Sequence, residues 1–235
     1  MSGSTTKDAF DNISPNQMRS GVSQLPLQFS RRGGVRPGAG RKPKKGAGEP
    51  HRLRLELKSR HPVHVTLRVA TEVWNLRSRR CFREIARAFR AVHGSGDFRI
   101  VEFSVQGNHL HLIVEARDKE ALSRGLRRIE IRMAKRLNTV MGRSGQVFPD
   151  RYHAHVLKTP TEVAHAVSYV RGNYAVHAAR RGDVHPPASV DRFSSAALVG
   201  GAWVEETGAP LVAPPRTWLL VEGWRKARPR QLGRR

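Results

Sequence analysis

The sequence predicts an α+β fold, a ferredoxin-like βαββαβ sheet with one helix added after the last strand. Three observations predict it. Four short stretches between residues 63 and 158 alternate apolar and polar residues, as half-buried strands do. Two stretches with apolar residues at helical spacing divide those strands into the order β-α-β-β-α-β. A third helical stretch, with its own start signal, follows the fourth strand.

In "HPVHVTLRVA", Val63, Val65, Leu67 and Val69 alternate with His64, Thr66 and Arg68, which gives the first strand. Ser78 then caps a helix whose apolar positions Phe82, Ile85, Phe89 and Val92 are spaced three, four and three, and "GSGD" ends it. "FRIVEFSVQ" is the second strand, with Val101, Phe103 and Val105 expected on one face and Glu102, Ser104 and Gln106 on the other. "GN" turns it tightly into "HLHLIVEA", so strands two and three form a hairpin. Asp118 caps a long helix that turns Leu122, Leu126, Ile129, Met133 and Leu137 inward and most of its arginines outward. "GRSGQVFPD" is a loop and "RYHAHVLKT" the fourth strand.

The last helix opens with a capping box, Thr159 at the cap, Pro160 in the first turn and Glu162 three residues after the cap, and Gly182 is its expected stop. At 100° per residue, Val163, Val167, Val170 and Tyr174 form its core stripe. Tyr169 and Asn173 lie about 40° from one another and roughly 100° from the centre of that stripe, so they are expected to project together.

Charge separates the chain into three parts: a tail over residues 1–60, a folded domain over 61–182 and an extension over 183–235. With 43 Lys and Arg against 19 Asp and Glu, the formal charge is +24. Such an excess opposes compaction unless the partner is a polyanion, so nucleic acid is the expected partner. Residues 31–60 are dense in Arg, Lys, Gly and Pro, a composition that cannot bury a core and is expected to be disordered when free. Within them "GRKPKK" resembles an AT-hook, a short basic segment that lies in the minor groove of A·T-rich DNA. Arg36, Arg41, Lys42, Lys44 and Lys45 are the expected DNA contacts of this tail. Arg127 and Arg128 of the second helix, Arg151 before the fourth strand and Arg171 beside Tyr169 are those of the domain. The extension is basic at its end, and its Trp203, Trp218 and Trp224 are expected to pack a small helical appendage.

No run of 18 apolar residues appears and the first ten residues are too polar for a signal peptide, so neither a membrane partner nor export is expected. The single cysteine, Cys81, forms no internal disulfide and fits a reducing cytoplasm.

"GNHLHLIVEA" holds two candidate metal ligands, the other reading being plain polar strand positions. Strand alternation puts His109 and His111 on one face and Leu110 and Leu112 on the other. Two imidazoles at i and i+2 on a strand can chelate one divalent ion. A second His-x-His, His153 and His155, sits on the fourth strand and is read as a polar edge or a DNA contact. His64 is read as an open-face strand residue, and His165 and His177 flank Tyr169 and Asn173 at four-residue steps.

His109-Leu110-His111 resembles the HUH motif (His, hydrophobic, His), and "SYVRGNYAVH" resembles the tyrosine helix of single-tyrosine HUH transposases. Residues 61–181 are similar to REP-associated tyrosine transposases and their IS200-like relatives, as are "RPGAGRKPK" and "PRTWLLVEGWR" outside them. The resemblance implies a cytoplasmic, nucleoid-associated enzyme that nicks and rejoins single-stranded, hairpin-forming DNA without a small-molecule cofactor. It implies that His109, His111 and Asn173 bind Mg²⁺ or Mn²⁺ and that Tyr169 attacks the phosphate, giving a 5′-phosphotyrosyl link. Many relatives carry Asn-Pro where this chain has Asn173-Tyr174, so here the helix is expected to continue.

Two other classes compete. One is a non-catalytic, domesticated DNA-binding protein; the other is a different HUH enzyme, a replication initiator or relaxase. The short domain and single clear tyrosine disfavour the latter, and covalent attachment to DNA would separate the former. The expected assembly is a monomer or a homodimer.

Overall fold

A computed structural model describes residues 56–94, 96–180, 190–199 and 210–227. The strands are β1 (Val63–Arg68), β2 (Phe98–Val105), β3 (His109–Ala116) and β4 (His153–Val156). They form one antiparallel sheet in the order β2-β3-β1-β4, the ferredoxin-like arrangement. The tail residues Arg36, Arg41, Lys42, Lys44 and Lys45 lie outside the described residues, as do Trp203 and Gly182.

Helices α1 (Arg79–Arg90) and α2 (Lys119–Met141) cover one face of the sheet. Their starts are fixed chemically: Ser78 Oγ accepts from the Cys81 N–H at 3.2 Å, and Asp118 Oδ1 from the Ala121 N–H at 2.7 Å. Phe82, Ile85 and Phe89 of α1 meet Leu122, Leu126, Ile129, Met133 and Leu137 of α2 over Val63, Val65, Leu67, Leu110, Leu112 and Val114 of the sheet. Cys81 is buried in this layer, and so is Leu57, which precedes β1.

Helix α3 (Pro160–Arg180) lies on the other face, over a second apolar cluster of Val101, Ile113, Leu157, Val163, Ala166, Val167 and Val170. Its capping box is formed: Glu162 Oε2 accepts from the Lys158 and Thr159 N–H groups at 2.6 and 3.1 Å, and Thr159 Oγ1 from the Glu162 N–H at 3.2 Å. The helix runs past Asn173-Tyr174, as expected without a proline there.

Three expectations are corrected. Val101 does not join Phe103 and Val105, because a register shift between Ile100 and Glu102 puts Val101 in the second cluster. Tyr174 is not core; the buried stripe of α3 is Val163, Ala166, Val167, Val170 and Asn173, rotated toward the side that carries Tyr169. Of the two described C-terminal tryptophans, Trp224 packs as expected and Trp218 does not. Leu219 and Leu220 of the short helix α5 (Trp218–Val221) fill the second cluster instead, with Trp224 packed against it and Trp218 exposed.

The chain after α3 is woven into the sheet. Val105 donates to Phe193 O at 2.8 Å and Ser195 to Phe103 O at 2.9 Å, around a bridge between Ser104 and Ser194. The edge of β2 is therefore covered. Arg77 pairs with Asp191 through two hydrogen bonds, 3.0 and 2.8 Å, and Ala213 donates to Ile100 O at 2.8 Å.

Two helical glycines have opposite expected behaviour. A Cβ on Gly125 of α2 would stand 2.2 Å from the Phe98 ring, whereas one on Gly172 of α3 would meet nothing within 4 Å. Gly125→Ala should lower stability by about 1–3 kcal/mol, as overpacking does, outweighing the gain in helix propensity. Gly172→Ala should raise it by about 1 kcal/mol. Denaturant titration of both variants checks the two signs.

Candidate active site

The face of the sheet under α3 is polar at one end. Across the strands, His153, Thr66, His111 and Ser104 form one row, and His155, His64, Ile113 and Glu102 the next. Arg68, exposed at the end of β1, is the cross-strand partner of His109.

His109 and His111 stand together, with ring centres 4.8 Å apart. Each ring is held through Nδ1: that of His111 lies 3.2 Å from Thr66 Oγ1 and 3.2 Å from His64 Nε2, and that of His109 lies 2.8 Å from Asn108 Oδ1. An imidazole that donates from Nδ1 to an oxygen presents Nε2 as a lone pair, the form in which histidine binds a metal. Nε2 of His111 points to the Tyr169 hydroxyl, 3.5 Å away. The Tyr169 ring packs edge-on against His111 and His64, with centres 5.0 and 5.9 Å apart, yet it is 43% exposed. A reacting group needs both properties: a fixed position and access from outside.

Asn173, one turn further along α3, is wholly buried, and neither Oδ1 nor Nδ2 has a hydrogen-bond partner. Leaving such a group unpaired costs about 1–3 kcal/mol, so it calls for a partner of another kind. Its neighbour Tyr174 lies 3.5 Å beneath the Arg77 guanidinium and lines a cavity with Gln106 and Gly107 at the β2–β3 turn, just ahead of His109. Asn173 thus directly precedes a residue packed beside the β2–β3 turn. Among the described residues no group of three His, Cys, Asp or Glu side chains is arranged to hold a metal ion. A divalent ion bound at the pair would draw its third protein ligand from a different type of group, and the Asn173 amide oxygen is one.

Other expected residues are placed as follows. Arg171 is committed to Glu102, which is buried and also takes the Ser195 hydroxyl, so this ion pair fixes the rotation of α3 beside Tyr169. Arg127 and Arg128 are exposed on α2, across the sheet from the histidine pair. Arg151 is exposed two residues before His153, ahead of β4. His153 and His155 are exposed on the edge strand, and His165 is exposed on α3. Sequence reasoning missed the supporting layer of Thr66, His64 and Asn108. Thr66 and His64 come from another strand, which no local spacing reveals. Asn108 was visible as the residue before the motif.

Burial, and then the neighbouring His155 and His153, push the His64 pKa down to about 4. Its unfolded value is near 6.5, so between those values the unfolded chain binds more protons. The metal-free protein should therefore be fully stabilised by this group above pH 6.5 and lose up to about 3 kcal/mol as pH falls through 4. His64→Gln should flatten that slope in urea titrations at stepped pH.

A histidine pair on a central strand thus faces a helix-borne tyrosine. Residues 58–173 match the family described as "Transposase IS200 like", a span that ends on Asn173 and contains all four residues of the site. The domain belongs to the IS200-like transposase family. One similar solved structure is a REP-associated tyrosine transposase bound to a REP hairpin, 17% identical, covering 72% of this chain and 93% of that one, with a TM-score of 0.48. Another is a transposase of Deinococcus radiodurans, 10% identical, covering 59% and 98%, with a TM-score of 0.36. No curated protein matches the chain. No helix of the described residues is long and apolar enough to cross a membrane.

Proposed function

We propose that the chain is a metal-dependent single-stranded DNA endonuclease and strand transferase, acting on hairpin-forming DNA. One observation carries the reading: the Tyr169 hydroxyl stands 3.5 Å from Nε2 of His111, on the face that also carries His109. The +24 charge supplies the general affinity for a polyanion.

His109 and His111, with Asn173, would hold Mg²⁺ or Mn²⁺. The bound ion would polarise a phosphoryl oxygen and neutralise charge on the phosphate. The protein's own groups do the rest. Thr66 and Asn108 fix the ring orientations, His111 and His64 hold the Tyr169 ring, and the Arg171–Glu102 pair sets the turn of its helix. Tyr169 Oη bonds to phosphorus as the bond to the 3′ oxygen breaks, and the proton lost by the phenol is balanced by one taken up from solvent at the departing 3′ oxygen, leaving a 5′-phosphotyrosyl link and a free 3′-hydroxyl. One phosphoester replaces another, so resealing needs no energy-rich cofactor. Arg68 and Arg151, both exposed, would steer the strand.

The test is incubation of the full chain with end-labelled hairpin oligonucleotides in Mn²⁺ or chelator. A nicked strand with label retained on the protein after boiling in detergent is expected only with metal. Binding without any cleavage at saturating metal would favour the non-catalytic class instead. Thr66→Val and Asn108→Ala should each weaken Mn²⁺ affinity about 10- to 100-fold, the cost of losing a group that orients a ligand. Metal titration by calorimetry measures it, and unchanged affinity in both would remove the supporting role.

A further inference from the structure

A second basic cavity lies at the opposite end of the sheet. In the β1–β3 register, Arg68 meets His109 at one end and Val63 meets Val114 at the other. The cavity, about 390 Å³, opens beyond the second end and is walled by Arg60, Arg117, Arg216 and Trp218. At 3.3 Å per residue along β3, Ala116 is about 17 Å from His111. A few nucleotides of extended strand span that distance.

The carboxylates in its wall are already engaged. Glu115, 5% exposed, accepts from the backbone N–H groups of Arg216 and Thr217 at 3.0 and 2.7 Å and lies 3.7 Å from Arg99. Asp97 takes Arg124 at 2.9 Å. Arg216 approaches Arg99 closely enough to add to the effect of burial in lowering its pKa, so cations crowd here against their own repulsion. An anion would relieve it.

Trp218 provides the second half of a site. It is 53% exposed, while its neighbours Leu219 and Leu220 do the packing. A Cβ on Gly223 would stand 2.8 Å from the indole, so the ring lies against bare backbone and is held in place. Lys226 Nζ is 5.7 Å from the ring centre. A fixed, exposed indole beside arginines is the combination that stacks a base and pairs its phosphate.

We propose that this cavity takes one nucleotide of the single-stranded part of the DNA, its base stacked on Trp218 and its phosphate between Arg60 and Arg216. The proposal rests on the DNA reading above, and its test separates the two. Fluorescence anisotropy with the full chain compares a labelled hairpin carrying a ten-nucleotide single-stranded extension with the same hairpin lacking it. Trp218→Ala should weaken binding of the extended DNA about 10-fold, the loss typical of one stacked base. Trp218→Phe should keep most of the affinity, and the bare hairpin should bind all variants alike. Arg60→Gln with Arg216→Gln leaves the Arg216 backbone contact to Glu115 in place and should show the same selective loss. Photocrosslinking with 5-iodouracil scanned along the extension should attach one position to Trp218. Equal binding of the extended DNA by wild type, Trp218→Ala and the double arginine variant would overturn the pocket and leave the DNA reading standing. An equal loss on both DNAs would overturn it too, as would tighter binding of an RNA of the same sequence. No binding of either DNA by the wild type would remove both readings.

Discussion

Tyr169→Phe should abolish the covalent protein–DNA adduct and reduce strand cleavage at least about 1,000-fold, on the scale seen when a nucleophile is removed. The substitution deletes one oxygen and little else. The ring remains against His111 and His64, and at 43% exposure it leaves no cavity to collapse. Binding of hairpin DNA and the urea midpoint should therefore stay at wild-type values. The other tyrosines are controls: Tyr152 is buried in the main core and Tyr174 lies beneath Arg77, so Tyr152→Phe and Tyr174→Phe should keep the adduct. An adduct that survives Tyr169→Phe and disappears in either control would reassign the nucleophile.

His109→Ala and His111→Ala should each remove metal-dependent cleavage, by more than about 100-fold, because on the proposed reading each would delete a ligand instead of the group that orients it. DNA binding should change little, since it rests on arginine and lysine. The two variants differ in one respect. His111 is 5% exposed and touches Thr66, His64 and Tyr169, whereas His109 stands at the start of β3 with one side open. His111→Ala should also lower stability, by about 1–3 kcal/mol for the polar partners left behind, and His109→Ala should not. Replacing His153 and His155 together by Ala is the control, because that pair is exposed on the edge strand. Cleavage lost only in this control, or unaffected by chelator, would exclude the metal assignment.

The fold was legible because alternation and capping are local. Asp118, Ser78 and the Thr159–Glu162 box each fix a helix start from within a few residues, and the order of elements leaves few topologies. What escaped depends on partners distant in sequence. Nothing around Val101 announces the shift that turns it over; that shift reflects how β2 pairs with β3. Asn173 was expected to project with Tyr169, and the two do share a side of α3. Asn173 is buried because the buried stripe of α3 is turned toward the Tyr169 side, which the helix's own periodicity does not contain. The contribution of residues 191–195 to the edge of β2 joins positions about 90 residues apart, as in Ser195 to Phe103. His64 was legible as a strand residue, but not as the neighbour of His111, 47 positions away.

The clasp of Glu115 on the Arg216 and Thr217 amides has a consequence for the order in which the molecule is made. The histidine-bearing strand β3 leaves the ribosome about 100 residues before its own carboxylate finds those partners. Until then Glu115 lacks the two backbone amides that hold it near Arg99, and the floor beneath α3 lacks Leu219 and Leu220. A nascent chain stalled before residue 216 thus carries the tyrosine and both histidines with the helix incompletely seated. The seat of the tyrosine-bearing helix is thus finished by residues that follow it by about 50 positions, so a chain cut short before them keeps the helix without its full packing.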